Sequence, residues 1–289
     1  MVLEFTDLQG IMGQYYAAND GEPEDVAKAL NEQYMPRFAG DDLPTTLTGC
    51  AIAIADRLDS LVGLFGINQP PSGTRDPFAL RRASLGVLRL LVEKEINIDL
   101  GTLIDWALDN NWDADLKADT KATLTDYMLD RFSAWYHDEG IPAEVFQAVR
   151  AVGITNALDI NRRVMAVHGF SKLDSASALA AANKRVSNIL AKNDGDAVVN
   201  DVDAALFEAA EEKALFEQMT ALHDLTIPAL AKGDYTTALE ALSTLRDVVD
   251  AFFDNVMVMA DNEAVKNNRL ALLKQLRGMF VGIADISVL

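Results

Sequence analysis

The interval at which apolar residues return is the strongest constraint on this chain. Between Ala51 and Phe65 it sets Ile54, Leu58, Leu61 and Phe65 three or four positions apart, the period of a helix with one buried face. The same interval recurs at Leu124, Met128, Phe132 and Trp135. It returns at Leu179, Ala182, Val186, Ile189 and Leu190, along Leu239 to Val256, and at Leu272, Leu276, Phe280 and Ile283. Leu and Ala dominate, and the alternating β-branched runs that announce strands are missing, so the chain reads as all-α.

At 289 residues the chain exceeds what one hydrophobic core commonly serves, which predicts two helical domains. The boundary is expected near residue 155, around Gly153 to Leu158, giving domains 1–155 and 156–289. The single cysteine, Cys50, lies in an apolar stretch, excludes an internal disulfide framework and reads as a small core residue. There is no membrane-length apolar run and no basic leader followed by an apolar core, so the expected compartment is the cytosol, with no membrane partner. The opening MVLEFTDLQGIMG enters patterned sequence directly and reads as a fragment of a longer chain.

A net charge of −19 argues against loose binding to a polyanion while leaving room for local basic patches. The first such patch lies within the stretch ADRLDSLVGLFGINQPPSGTRDPFALRR at 55–82. Here a helix ending near Gly66 passes through a turn-rich loop, and Asp76-Pro77 reads as an N-cap followed by proline at the first helical position. Phe78, Leu85, Leu88 and Val92 are expected to be buried. Arg75, Arg81 and Arg82 crowd a helix start, where the dipole favours acids. Either they pair with Asp56, Asp59 and Asp76, or they hold an external phosphate with the free amides.

Two further basic faces lie in the second half. A helix predicted over Ala176–Lys192 carries Arg185, Asn188 and Lys192 at i, i+3 and i+7 on the face opposite its apolar stripe, with Lys184 beside them. A last helix, expected to be capped by Asp261, carries Lys266, Asn267, Asn268 and Arg269 in its first two turns. Cations and amides at such spacing suit phosphates and base edges, and they also suit a merely solvated face. Arg162 and Arg163 are expected side by side on the surface of another helix.

Residues for chemistry are scarce. His137-Asp138 and His223-Asp224 are two literal HD pairs, but an HD phosphohydrolase needs further His and Asp ligands converging on one metal. The chain has only three histidines, so no metal site and no catalytic residue is assigned. P-loop, GxGxxG and GxSxG signatures are missing.

Taken in order, EFTDLQGIMG at 4–13, LNEQYMPRFAGDDLP at 30–44 and AIADRLDSLVGLFGI followed by GTRDPFALRRASLGVLRLLVEK within 53–94 carry a resemblance to a known family. It continues in AAANKRVSNILAK at 180–192, FFDNVMVMADNEAVKNNRLALLKQL at 252–276 and the terminal ADISVL. The chain resembles, along its whole length, the C-terminal part of the β subunit of bacterial heterotetrameric glycyl-tRNA synthetase. That resemblance implies an N-terminally truncated HD-like helical domain followed by a DALR-like anticodon-binding helix bundle. ADRLD at 55–59 would then be the remnant of the HD scaffold's last acidic element.

The resemblance further implies tRNA(Gly) and the synthetase α subunit as partners in a heterotetramer. Glycine activation with ATP and Mg would belong to the α subunit, leaving no cofactor and no catalysis in this piece. By position, Lys184, Arg185, Asn188 and Lys192, together with Lys266, Asn267, Asn268 and Arg269, are expected to grip the anticodon arm. Arg75, Arg81 and Arg82 are expected to meet RNA or another subunit. The competing reading is a non-enzymatic helical adaptor that binds no nucleic acid.

Overall fold

The computed structural model describes residues 4–110, 115–193 and 201–289. Among them every regular element is helical, and the chain divides into two compact units. One takes the residues up to Asp138 together with Thr155–Leu158, and the other takes Glu139–Ile154 and Asp159–Leu289.

The first unit contains α1 (Ile11–Asn19), α2 (Glu24–Glu32), α3 (Leu47–Gly66), α4 (Leu80–Glu93), α5 (Leu100–Leu108) and α6 (Thr120–Asp138). Helix α3 is its axis, packing against α2, α4, α5 and α6. Ile54, Leu58, Leu61 and Phe65 are buried along it, as their spacing requires. The start of α3 is set by a side chain from elsewhere. The buried Glu32 carboxylate accepts the Thr45 amide at 2.8 Å and the Thr46 amide at 3.1 Å, and both threonine hydroxyls as well. Burial pushes that carboxyl up, but these four bonds outweigh it and hold the group below its ordinary range.

Three expectations for this unit fail. Residues 5–18 are not the end of a buried helix, because Phe5, Leu8, Tyr15 and Tyr16 are exposed. Only the close approach expected at Gly10 and Gly13 holds, with α2 lying against both. Helix α4 begins at Leu80 rather than at Pro77, after Ala79 in the left-handed region. Asp76 still caps it, but by reaching across the turn to the amides of Leu80 (2.8 Å) and Arg81 (3.0 Å). Phe78 is thereby left outside the helix and 52% exposed.

The second unit contains α7 (Ala143–Arg150), α8 (Ala157–Phe170) from Asp159 onward, α9 (Ala176–Lys192), α10 (Ala210–Ala231), α11 (Tyr235–Ser243), α12 (Arg246–Asn255) and α13 (Glu263–Val281). Helix α7, expected in the first domain, lies instead against the C-terminal turn, where the Asp285 amide donates to the Ala148 carbonyl at 2.9 Å. Residues 155–158 return to the first unit because Thr155 bonds the Asp99 carboxylate at 2.6 Å and accepts the Leu100 amide. The long helix expected from Thr236 to Met259 is two helices. Ser243 and Thr244 turn their hydroxyls onto the Glu240 and Ala241 carbonyls, and Gln218 of α10 donates to the freed Thr244 carbonyl. The expected polar loop at 193–203 lies mostly outside the described residues.

Candidate nucleic-acid interface

Helix α9 has the bounds its periodicity predicts. Leu179, Ala180, Ala182 and Val186 are buried, and the helix packs on α12, α13 and the C-terminal turn. Lys184, Arg185, Asn188 and Lys192 are therefore turned to solvent. One of the four is held in place. The Arg185 guanidinium sits 4.4 Å from the centre of the Phe253 ring on α12, where the ring's negative face favours a cation. Phe253 had no place in the sequence reading, since its neighbour Phe252 accounts for the apolar period. Arg185 thus presents a flat, positioned guanidinium beside the exposed Lys184, Asn188 and Lys192 side chains.

The start of α13 differs from its expected role. Its cap is Asn262, not Asp261, with Oδ1 accepting the Ala264 amide at 3.0 Å. Asn268 and Arg269, expected to meet RNA, are 4% and 6% exposed. Asn268 is engaged with backbone, accepting the Asp203 amide at 2.8 Å and donating to the Asp203 carbonyl at 3.0 Å. Arg269 donates to Glu212 (2.8 and 3.2 Å), to Glu208 (3.1 Å) and to the Met257 carbonyl (2.9 Å). Both are withdrawn from any interface by these bonds.

The partner carboxylate explains the cation at this helix start. Burial pushes Glu212 up, but Arg269 and the amides of Ala209 and Glu208 hold it below the ordinary carboxylate range. Arg269 is raised in return, chiefly by its bond to Glu212. Lys266 and Asn267 are half-buried, with Lys266 3.5 Å from Glu263. Of the eight residues assigned to the anticodon arm, the four on α9 form the exposed group.

Arg163, expected on the surface, is also structural. It bonds Asp159 at 2.9 Å, the carbonyls of Gly282 and Ile283, and the Tyr235 hydroxyl at 3.0 Å, pinning α8 to α11 and α13.

In the first unit, Arg81 does not pair with Asp56 or Asp59. Those aspartates are exposed, and the Arg81 guanidinium reaches the Gly73 carbonyl instead. Arg82 donates to the Arg37 carbonyl at 3.1 Å, and Arg75 is exposed. The buried arginine of α3 is Arg57, which the pattern did not single out. It is 9% exposed and donates to the carbonyls of Gln33, Ala53, Tyr34 and Pro36. Burial lowers its pKa, and Asp56 opposes that only in part.

His137-Asp138 and His223-Asp224 lie exposed on α6 and α10. Among the described residues no group of three or more His, Cys, Asp or Glu side chains is placed to hold a metal ion. None of the described helices is long and apolar enough to cross a membrane.

Comparison with known proteins bears on these surfaces. A family model described as glycyl-tRNA synthetase beta subunit matches residues 1–151. A second, described as a DALR anticodon binding domain, matches residues 179–283, from α9 to just beyond α13. The chain is 63% identical over its full length to the glycine–tRNA ligase beta subunit of Marinobacter nauticus. It is 53% identical to that of Hahella chejuensis and 56% identical to that of Pseudoalteromonas translucida, again over the full chain. In each case it spans 42% of the relative's length.

Proposed function

The chain belongs to the glycyl-tRNA synthetase β-subunit family, and from this we infer that it recognises tRNA(Gly) for a synthetase that attaches glycine to it. The observation that carries the inference is the exposed Lys184, Arg185, Asn188 and Lys192 stripe on α9, inside the stretch matched by the anticodon-binding model. Lys184 and Lys192 are placed for phosphate, and Asn188 offers both a donor and an acceptor to an unpaired base edge. Arg185, backed by Phe253, has the planar face on which a splayed base stacks. A chain of net charge −19 repels RNA at long range, so this local patch must hold its ligand by close contact.

In this reading the chain works beside an α subunit that activates glycine with ATP and Mg, as part of a cytoplasmic heterotetramer. The chain itself recognises and positions the tRNA. The reading is tested by fluorescence anisotropy with the anticodon stem–loop of tRNA(Gly) and with a stem–loop of another anticodon. Preference for the first, weakened at least about tenfold by Lys184→Glu with Arg185→Glu, is the expected result. Equal affinity for both RNAs, or none, returns the chain to the class of helical adaptors.

A further inference from the structure

An apolar groove of about 460 Å³ opens along α3 in the first unit. Helix α3 lines it with Leu47, Ala51 and Ala55, α5 lines it with Trp106 and Asn110, and Ile98 joins them from the link between α4 and α5. Leu47 is 83% and Trp106 59% exposed. The groove continues along α3 to Leu58, about three helical turns or roughly 16 Å. It is part of a wider pattern. Among the described residues every aromatic side chain left largely exposed, Phe5, Tyr15, Tyr16, Phe38, Phe78 and Trp106, belongs to the first unit. The second unit, which holds the stretch matched by the anticodon-binding model, keeps its rings covered or half-covered. Apolar exposure concentrated on one unit marks a surface that takes a macromolecular partner.

The lining chemistry selects the kind of occupant. A small-molecule site sets several convergent polar groups in its apolar wall. Here the polar side chains are those of Asn110 and Cys50, and the thiol is already directed at the Pro44 carbonyl, 3.8 Å away. Ala51, Ala55 and Ala107 are small enough to admit the side chains of another helix between the bulkier Leu47 and Trp106. That is the layout of a groove read by anchors at i, i+3, i+4 and i+7. The surrounding charge sets the flanks of the occupant. Asp59, four positions beyond Ala55, and Asp109, three beyond Trp106, are surface neighbours of lining residues on their own helices. Both are exposed, as is Glu95 next to the lining residue Ile96, and among the described residues none of the three lies in an ion pair. Lys94, whose charge acts on Cys50, opposes them only in part.

We propose that this groove seats an amphipathic helix, apolar on one face and basic along its flanks, supplied by the part of the β subunit that the relatives carry beyond the span of this chain. The chain covers 42% of each relative's length, so more than half of the subunit is available to provide it. The β-subunit family model matches residues 1–151, the region that holds the groove. Helices α3 and α5 thereby act as the seat through which the first unit is fixed to the rest of its own subunit. This docking is independent of tRNA recognition, and its failure leaves the anticodon reading standing.

The test places this chain in the full-length Marinobacter nauticus β subunit, in place of the matched portion to which it is 63% identical. Ala55→Cys, in a Cys50→Ala background, is labelled with a maleimide in that chimaera and in the 289-residue chain, and the rates are read by mass spectrometry. The introduced thiol is expected to react at least about tenfold more slowly in the chimaera. Glu240→Cys, on α11 of the second unit, should react alike in both, and Ala51→Cys repeats the measurement from a second groove position. Two helical peptides of about 16 residues then probe the 289-residue chain, each with leucines at i, i+3, i+4 and i+7, one flanked by lysines and one by glutamates. The lysine peptide should slow labelling at least about fivefold and the glutamate peptide less than about twofold. Asp59→Lys with Asp109→Lys should reverse that preference, and thermal unfolding checks that each variant is folded. Equal labelling in chimaera and chain overturns the proposal. Protection that arises only when the synthetase α subunit is added overturns it too, and assigns the groove to another chain. Protection by neither peptide, or by both alike, also overturns it, and this arm decides the matter where the chimaera does not fold.

Discussion

Arg185 and Arg269 carry the same charge in the same unit and answer to different physics. Arg185 keeps its guanidinium in water against one aromatic ring, a contact of about 0.5–1 kcal/mol at an exposed site. Arg185→Ala should therefore lower stability by less than about 1 kcal/mol while weakening binding of the anticodon stem–loop, a split read by comparing urea midpoints with anisotropy titrations. Arg269 neutralises Glu212, whose side chain has no exposed surface. Arg269→Ala leaves that carboxylate buried and unpaired, and a loss of about 3–5 kcal/mol is expected in urea unfolding. Replacing both partners, Arg269→Met with Glu212→Gln, should recover part of it. Arg57 is a third case, a buried cation held only by carbonyl dipoles. Arg57→Met strips the donors from four carbonyls and should cost about 2–4 kcal/mol. Nothing local distinguishes these arginines, because each occupies an ordinary helical position and differs only in what another segment brings to it.

At the scale of helices, two glycines mark where neighbours come too close for a side chain. A Cβ on Gly86 of α4 would lie 2.8 Å from Arg57 Nε, and one on Gly49 of α3 would collide with the Glu32 carboxylate. Gly86→Ala should destabilise the first unit by about 1–3 kcal/mol, since the displaced guanidinium is already fixed by four bonds. Paired with Arg57→Met, the same substitution should cost distinctly less, and a double-mutant cycle measures the difference. The helices themselves were largely legible. The buried line of α3 and both ends of α9 follow from apolar spacing. The break between α11 and α12 was not, because the apolar residues on both sides remain buried and keep a plausible helical interval. It is set by hydroxyls that compete for backbone carbonyls and by Gln218 arriving from α10. The cap of α4 was half legible: Asp76 is the capping acid, but a left-handed Ala79 moves the first turn three residues on.

For the whole molecule, acid is the natural probe, because the depressed carboxylates lie in both units. Glu32 belongs to the first; Glu212 and Asp285 belong to the second. Each is held below its ordinary range against the opposing effect of burial. Unfolding returns glutamates to about 4.3 and aspartate to about 3.9. The unfolded chain therefore binds more protons just below those values, and stability rises with pH through that window. The contribution should be complete above about pH 5 and disappear as pH falls through the lower folded values, seen as a falling urea midpoint between about pH 5 and 3. With Arg269→Met the share contributed by Glu212 should shrink, while those of Asp285, held by Arg277 and Ser287, and of Glu32 persist.

What the sequence determined by itself is the all-helical class, the inward line of each main helix and the outward α9 stripe, because backbone hydrogen bonding imposes a 3.6-residue period that any amphipathic run must obey. The tertiary structure decided which cations remain exposed and which are buried against carboxylates or carbonyls. Glu212 reaches Arg269 across 57 positions, and three of the four carbonyls around Arg57 come from more than 20 positions away. A period specifies the face a residue lies on; only the packing of distant segments specifies what that face meets.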